Sequence, residues 1–196
     1  MQGEDAEQSR AAKASLRKSI KAAIRHLPAR ERSCADAAIC ERLEVLAQQI
    51  GADMVLGYVA LGDEVCIDGF LCGSLERGRI LRLPVVRDGV ICWGRWTPTA
   101  GLRPDFEGVL APLATDDEPA GNRGILVVPG RGFDRGGGRL GRGGGYYDRL
   151  LSEISDTLVV VGAAYDAQIV DTIPREPHDR PVDVVVTESS VWRASR

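Results

Sequence analysis

The sequence predicts one α/β domain with a mainly parallel sheet covered on both sides. Short apolar runs rich in β-branched residues alternate along the chain with segments at helical spacing. Those runs are apolar throughout rather than at every second position, which suits strands buried on both faces. Length sets the scale: with 196 residues, 44% of them hydrophobic, about two-thirds of the unfolded surface can be buried in one core without disulfide or metal staples.

The elements follow in order. Residues 1–9 are polar and mixed in charge, and a flexible N-terminal tail is expected there. Over 9–27, Leu16, Ile20, Ala23, Ile24 and Leu27 fall at helical spacing, and Pro28 ends the segment. On another face Lys13, Arg17 and Lys21 recur every four residues, so their cationic heads line up in a ridge. By itself such a ridge is usually a solvated face. A second helix is expected over 30–49, with Ala38, Ile39, Leu43, Leu46 and Ile50 as its buried stripe and Gly51 as its C-terminal cap. Residues 54–60 read as a buried strand and 67–77 as a helix. Strands at 79–86 and 90–96 are joined by an Asp88-Gly89 hairpin signal. Residues 101–123 contain Pro104, Pro112, Pro119 and the acidic run Asp116-Asp117-Glu118, and read as a connection with little regular structure. Strands at 125–129, 157–165 and 182–187, with a helix over 144–154, complete the set. Trp93 and Trp96 are accounted for by their strand.

Charge and cysteine usage exclude several classes. The 25 Lys and Arg against 28 Asp and Glu leave a net −3, too acidic for a dedicated duplex-DNA binder and too balanced for disorder. No stretch reaches the ~18 uninterrupted apolar residues of a membrane span. The N-terminus lacks the apolar segment of a signal peptide, so a soluble, cytoplasmic protein is expected. Cys34, Cys40, Cys66, Cys72 and Cys92 include no Cys-x-x-Cys pair, and only His26 and His178 supply imidazole. Zinc spacing is absent, and the thiols read as reduced and mostly structural.

The segment richest in chemistry runs from Pro129 to Asp148. It holds nine of the 23 glycines, with Arg131, Arg135, Arg139 and Arg142 among them, and it follows a strand and precedes a helix. Open parallel sheets bind ligands in that position. Glycines there let backbone N–H groups turn onto an anion, and guanidinium forks match phosphate oxygens. Asp148, at the helix start, is placed to hold a Mg²⁺ bridging those oxygens, or merely to complement the helix dipole. Three readings stay open on residues alone: a flexible loop, an RNA-binding Arg-Gly-Gly segment, and a nucleotide phosphate site. Gly136-Gly-Gly138-Arg-Leu-Gly141 has the dinucleotide spacing, but no helix opens directly there, and no Walker Gly-Lys-Ser/Thr occurs.

The run Leu140-Gly-Arg-Gly-Gly-Gly-Tyr-Tyr-Asp-Arg149, preceded by Pro129-Gly130 and Phe133-Asp134, resembles the signature of the 5-formyltetrahydrofolate cyclo-ligase family. The likeness extends along nearly the whole chain. Lys13-Ala-Ser-Leu-Arg17 resembles that family's N-terminal Lys-x-x-Leu-Arg, Tyr58 to Glu64 its folate segment, and residues 96–112 its variable middle. Residues 174–187 resemble its C-terminal element, which carries His178-Asp179. Two departures stand out: Asp68 is displaced relative to Glu64, and Arg131 and Gly136-Gly-Gly138 occupy places where bulkier residues are common.

The resemblance implies a three-layer α/β/α, Rossmann-like fold and an ATP- and Mg²⁺-dependent closure of 5-formyltetrahydrofolate to 5,10-methenyltetrahydrofolate. ADP and phosphate are released. It also implies roles by position. Lys13 and Arg17 would meet the ATP phosphates, and Arg139, Leu140, Gly141, Arg142, Gly143, Gly144, Gly145, Tyr146 and Tyr147 would cradle the nucleotide. Arg142, with Lys13, would serve catalysis at the transferring phosphate. Asp148 and Asp179 would hold the metal, while Tyr58, Val59 and Glu64 would meet the folate. The partners expected are these small molecules, with no nucleic acid or membrane, and the chain is expected to be a monomer. The alternatives are a relative acting on another substrate and a nucleotide- or RNA-binding module using the Gly/Arg segment.

Overall fold

The computed structural model describes residues 2–97, 99–105, 108–115, 123–154, 157–175 and 179–194. The acidic run Asp116-Asp117-Glu118 with Pro119, and His178, lie outside them. In chain order the elements are α1 (Gln2–Arg25), α2 (Ala29–Gln49), β1 (Met54–Leu56), α3 (Asp68–Glu76), β2 (Ile80–Arg87), β3 (Val90–Arg95), β4 (Arg103–Pro104), β5 (Leu110–Ala111), β6 (Gly124–Val128), β7 (Gly132–Asp134), β8 (Arg139–Leu140), α4 (Tyr146–Glu153), β9 (Leu158–Ala163), β10 (Ile169–Val170), β11 (Val184–Val186) and β12 (Val191–Arg193).

Seven strands form the central sheet in the order β12-β11-β9-β6-β1-β2-β3. The five inner strands are parallel, and β3 and β12 pair antiparallel at the two edges. Every residue of β1 and β6 is buried, as continuous apolar runs between two layers should be. Two apolar clusters lie on opposite faces. One joins Ile20 and Ile24 of α1, Ile39, Leu43 and Leu46 of α2, and Phe70 and Leu71 of α3 to the sheet. The other joins Leu151 of α4 and Phe133 to it. Trp96 packs on the first cluster and Trp93 on the second, as strand side chains of opposite direction must. The architecture is therefore the three-layer α/β/α arrangement expected.

Taken in chain order, the parallel strands β1, β2, β6, β9 and β11 lie as 2-1-3-4-5. Chain progression reverses between β1 and β6, so the loops leaving their carboxyl ends part and open a crevice. That one topological fact positions everything functional below.

Several expectations are adjusted. Helix α1 begins at Gln2 rather than near residue 9, so helical backbone covers the segment read as a tail. The buried stripe of α2 is Ala35, Ile39, Leu43, Leu46 and Ala47; Ala38 and Ile50 sit at its margin. Gly51 does cap α2: it adopts φ +63°, its N–H meets the Gln48 carbonyl at 3.0 Å, and the Ala52 N–H meets that of Ala47 at 2.9 Å. Residues 57–60 leave the strand after only three residues of β1. The 101–123 connection is not without structure, since β4 and β5 pair within it. The Gly/Arg segment contains a hairpin, β7–β8, with β10 laid parallel along β7. Asp88 and Gly89 both take positive φ (50° and 77°), the turn their sequence predicts. All five cysteines are free; Cys34 and Cys72 are exposed, and burial pushes the thiols of Cys40 and Cys66 up.

Candidate functional site

A cavity of about 360 Å³ occupies the crevice between the ends of β1 and β6. The turn after β1 contributes Tyr58, Val59, Leu61 and Glu64, and the turn after β6 contributes Pro129, Gly130 and Arg131. Arg139, Gly141, Arg142, Gly144, Gly145, Tyr146, Tyr147 and Asp148 line it from the β8–α4 connection. Opposite lies a mostly apolar wall of Pro84, Val86, Ile91, Val109 and Ala111, with Asp105.

The β7–β8 hairpin that leads into this connection is held in place by one buried carboxylate. Asp134, 3% exposed, accepts the Gly138 N–H at 2.7 Å, the Ile173 N–H at 3.0 Å and Nη2 of Arg175 at 2.9 Å. The glycines around it are required by closeness: Gly137 has φ +83° with the Val182 carbonyl against its Cα, and a side chain on Gly138 would meet the Asp134 carboxylate. Gly145, at φ +69°, then turns the chain into α4. A glycine run that looks like flexible low complexity is thus a tight hairpin.

Three guanidinium groups converge on the cavity, each with a carboxylate. Arg139 bonds Asp148, Arg131 bonds Asp63, and Nε of Arg142 lies 2.8 Å from Oε1 of Glu64. Arg142 also donates to the Leu61 carbonyl at 2.9 Å, while Glu64 accepts the Leu61 N–H at 2.9 Å. Arg139 stacks over the Tyr147 ring, and its side chain is only 5% exposed. Its buried Nε finds no hydrogen-bond partner among the described residues. Such an orphaned cationic donor is costly, and an anion in the cavity is the natural way to satisfy it. Burial, followed by the negative charge of Glu64, pushes the phenols of Tyr58 and Tyr147 up, so both remain neutral. Tyr58 donates to the Val65 carbonyl at 2.9 Å. Burial pushes the Asp63 carboxyl up, but the hydrogen bond and charge of Arg131 outweigh it and hold it below its ordinary value.

Of the residues singled out from sequence, Tyr58, Val59, Glu64, Arg139, Gly141, Arg142, Gly144, Gly145, Tyr146, Tyr147 and Asp148 share this cavity. Lys13, Arg17, Leu140, Gly143 and Asp179 do not line it. Leu140 is core, 1% exposed. Arg17 reaches the segment from behind, its Nε donating to the Gly141 carbonyl at 2.8 Å. Lys13 sits 3.2 Å from Asp179, tying α1 to the C-terminal segment. No group of three or more His, Cys, Asp or Glu gathers in metal-binding proximity among the described residues. Of the predicted metal ligands only Asp148 lines the cavity, and a single carboxylate suits a Mg²⁺ carried largely by phosphate oxygens and water. Asp179 is not brought to the cavity. Sequence reading missed Arg131 as a wall residue and the whole apolar wall. Alternation of Pro84 with Val86 and of Val109 with Ala111 left only a partial trace of the wall, and the pairing of Val86 with Ile91 that completes it is seen in the structure alone.

Fold and cavity together define a doubly wound α/β protein with an arginine- and glycine-lined crevice at its switch point. Comparison with known proteins makes this specific. The sequence model of the 5-formyltetrahydrofolate cyclo-ligase family matches residues 9–188, and the chain belongs to that family. It is 33% identical over 147 residues to a 5-formyltetrahydrofolate cyclo-ligase of Mycolicibacterium smegmatis, covering 71% of this chain and 75% of the relative. The mouse 5-formyltetrahydrofolate cyclo-ligase is 28% identical over 192 residues, covering 91% and 95%. In structure, the chain is similar to the 5,10-methenyltetrahydrofolate synthetase of Aquifex aeolicus, with a TM-score of 0.79, 32% identity and coverage of 94% and 93%. For the synthetase from Mycoplasma pneumoniae the TM-score is 0.67, with 26% identity and coverage of 90% and 98%. No helix among the described residues is long and apolar enough to cross a membrane.

Proposed function

We propose that this chain closes 5-formyltetrahydrofolate to 5,10-methenyltetrahydrofolate at the expense of ATP, acting as a monomer in the cytoplasm. The observation that carries the reading is the convergence of Arg131, Arg139 and Arg142 on one switch-point cavity in a chain of this family. The formyl oxygen takes the γ-phosphoryl group, which converts it into a good leaving group. N10 then bonds the activated carbon, the carbon–oxygen bond to phosphate breaks, and the N10 proton departs. Such a reaction asks the protein for positioning and charge neutralisation more than for a nucleophile.

In this scheme Arg139 and Arg142 bind the phosphates, and Arg142, whose side chain is 36% exposed, stabilises the charge that develops in transfer. Backbone groups of Gly141, Gly144 and Gly145 form the cradle, with Gly143 shaping the turn between them at φ +112°, and Tyr146 and Tyr147 wall it. Arg17 fixes the cradle through the Gly141 carbonyl, while Lys13 with Asp179 supports it from α1. Asp148 would hold Mg²⁺, which when bound neutralises phosphate charge. Val59, Tyr58 and Glu64 meet the folate, and the apolar wall takes its flat ring system. The test is near-ultraviolet absorbance of methenyltetrahydrofolate with protein, 5-formyltetrahydrofolate and Mg²⁺, with and without ATP. Product that needs ATP is expected; ATP binding without product would remove the folate assignment.

A further inference from the structure

We propose that Arg131 and Asp63 form a latch that positions the 61–64 turn, and with it Glu64, for the folate. The inference rests on the folate reading above and adds Arg131 as a positioning residue that neither the phosphate cradle nor the folate contacts include.

The turn has little holding it on its own. It follows a three-residue strand, and Gly62 takes φ +63°. Its internal bonds are the Glu64 N–H to the Leu61 carbonyl at 3.2 Å and the Leu61 N–H to the Glu64 carboxylate at 2.9 Å. Arginines from three parts of the chain supply the rest. Arg142 grips Glu64 and the Leu61 carbonyl, Arg32 donates to the Gly62 carbonyl at 3.0 Å, and Arg131 takes Asp63.

These three holds are not equivalent. Arg142 is the group assigned to the transferring phosphate, so its donors are shared once nucleotide is present. Arg32 makes an exposed bond to a neutral carbonyl, a weak tether. The Arg131–Asp63 pair spans 68 positions, with both side chains only 18% exposed. A pair so largely withdrawn from water is screened less than a surface pair, yet the exposure each side chain keeps lets water reach the partner left by a substitution. Arg131 is itself anchored, since its N–H donates to the Leu140 carbonyl at 2.7 Å and it follows β6 directly at the switch point. Asp63 therefore docks on a segment whose backbone is tied to β8. Glu64, its neighbour in sequence, is delivered to a fixed place even when Arg142 is engaged elsewhere.

The experiment uses Arg131→Leu, Asp63→Asn and the double variant, with KM measured separately for 5-formyltetrahydrofolate and for ATP. Each single variant is expected to raise KM for the folate roughly tenfold, as loss of one desolvated charge pair does, with kcat much less affected. KM for ATP stays within about twofold and the melting temperature within about 2 °C. The double variant is expected to be no worse than either single one, the signature of coupled residues. Hydrogen exchange of the amides at 61–64 accelerates in all three. Unchanged folate KM, or a joint rise of both KM values with a fall in melting temperature, overturns the latch. A wild-type protein that forms no product overturns the folate reading and the latch's role with it. An active wild type with unmoved variants overturns the latch alone.

Discussion

Two clusters of arginine and carboxylate in this molecule look alike in composition and differ in what they enclose. In one, Glu44 of α2 accepts Nη1 and Nη2 of Arg79 at 2.7 and 2.8 Å, with Nε of Arg77 at 3.1 Å and Gln48 at 2.7 Å. It closes on itself between α2, the end of α3 and the start of β2. In the other, Arg131, Arg139 and Arg142 each hold one carboxylate but surround open space, and among the described residues Arg139 keeps a buried donor unsatisfied. The first uses charge to finish packing. The second holds charge in readiness for a ligand. Loss of a member of the first should be felt in stability, and loss of a member of the second in turnover or in affinity for the substrate.

Arg142→Ala breaks the comparison most sharply. We expect it to lower kcat by roughly 10²-fold or more, the scale of removing one preorganised charge stabiliser, while the melting temperature changes little. Wild-type turnover would take Arg142 out of the mechanism. Next is the apolar wall. Val86→Ala deletes two carbons from the ligand-facing surface and, at about 0.8 kcal/mol each, should raise KM for the folate about tenfold without moving KM for ATP. A shift in the ATP value instead would place the nucleotide against that wall.

A smaller effect is expected at Tyr147. Its phenol is pushed up by burial and by the charge of Glu64, against the opposing pull of Arg139, so it stays neutral across the assay range. Tyr147→Phe should keep activity within about threefold and leave the alkaline limb of the pH–rate profile in place. Disappearance of that limb would make the phenol a proton donor in the reaction.

The polar half of the cavity was legible in the sequence because its residues lie in one run, 129–148, where glycine and arginine have few structural reasons to cluster. Fold class was legible for a related reason: β1, β6, β9 and β11 are short continuous apolar runs separated by segments at helical spacing, the pattern of a parallel sheet buried on both faces. The apolar wall was hidden because Val86, Ile91 and Ala111 are residues any core uses, and only the pairing of β2 with β3 and of β4 with β5 gives them a common surface. The β7–β8 hairpin was hidden because its strands are two and three residues long, held by the Asp134 carboxylate rather than by β propensity. The partners of Lys13, Arg17 and Arg142 were out of reach for a third reason. Each lies more than 75 positions away, and nothing in spacing reveals such a contact.

Glu44→Gln probes the closed cluster and should leave turnover untouched. The Arg79 hydrogen bond leads in holding the Glu44 carboxyl below its ordinary value, and it prevails over the opposing effect of burial. A carboxyl depressed in the folded state adds stability above its unfolded pKa, about 4.3, and loses it as pH falls through the folded value. The variant should therefore be less stable than wild type at neutral pH. With Arg79 only 8% exposed and Gln able to keep one acceptor, the deficit should be about 1 kcal/mol, or a fall of about 2–4 °C in melting temperature. As pH falls below the unfolded value and on through the lower folded one, the wild-type carboxylate is itself protonated, and the two denaturation curves should converge. A deficit that persists undiminished in acid would mean that the side chain's packing, and not its charge, joins α2 to β2. A loss of turnover without loss of stability would mean that this cluster, too, communicates with the cavity.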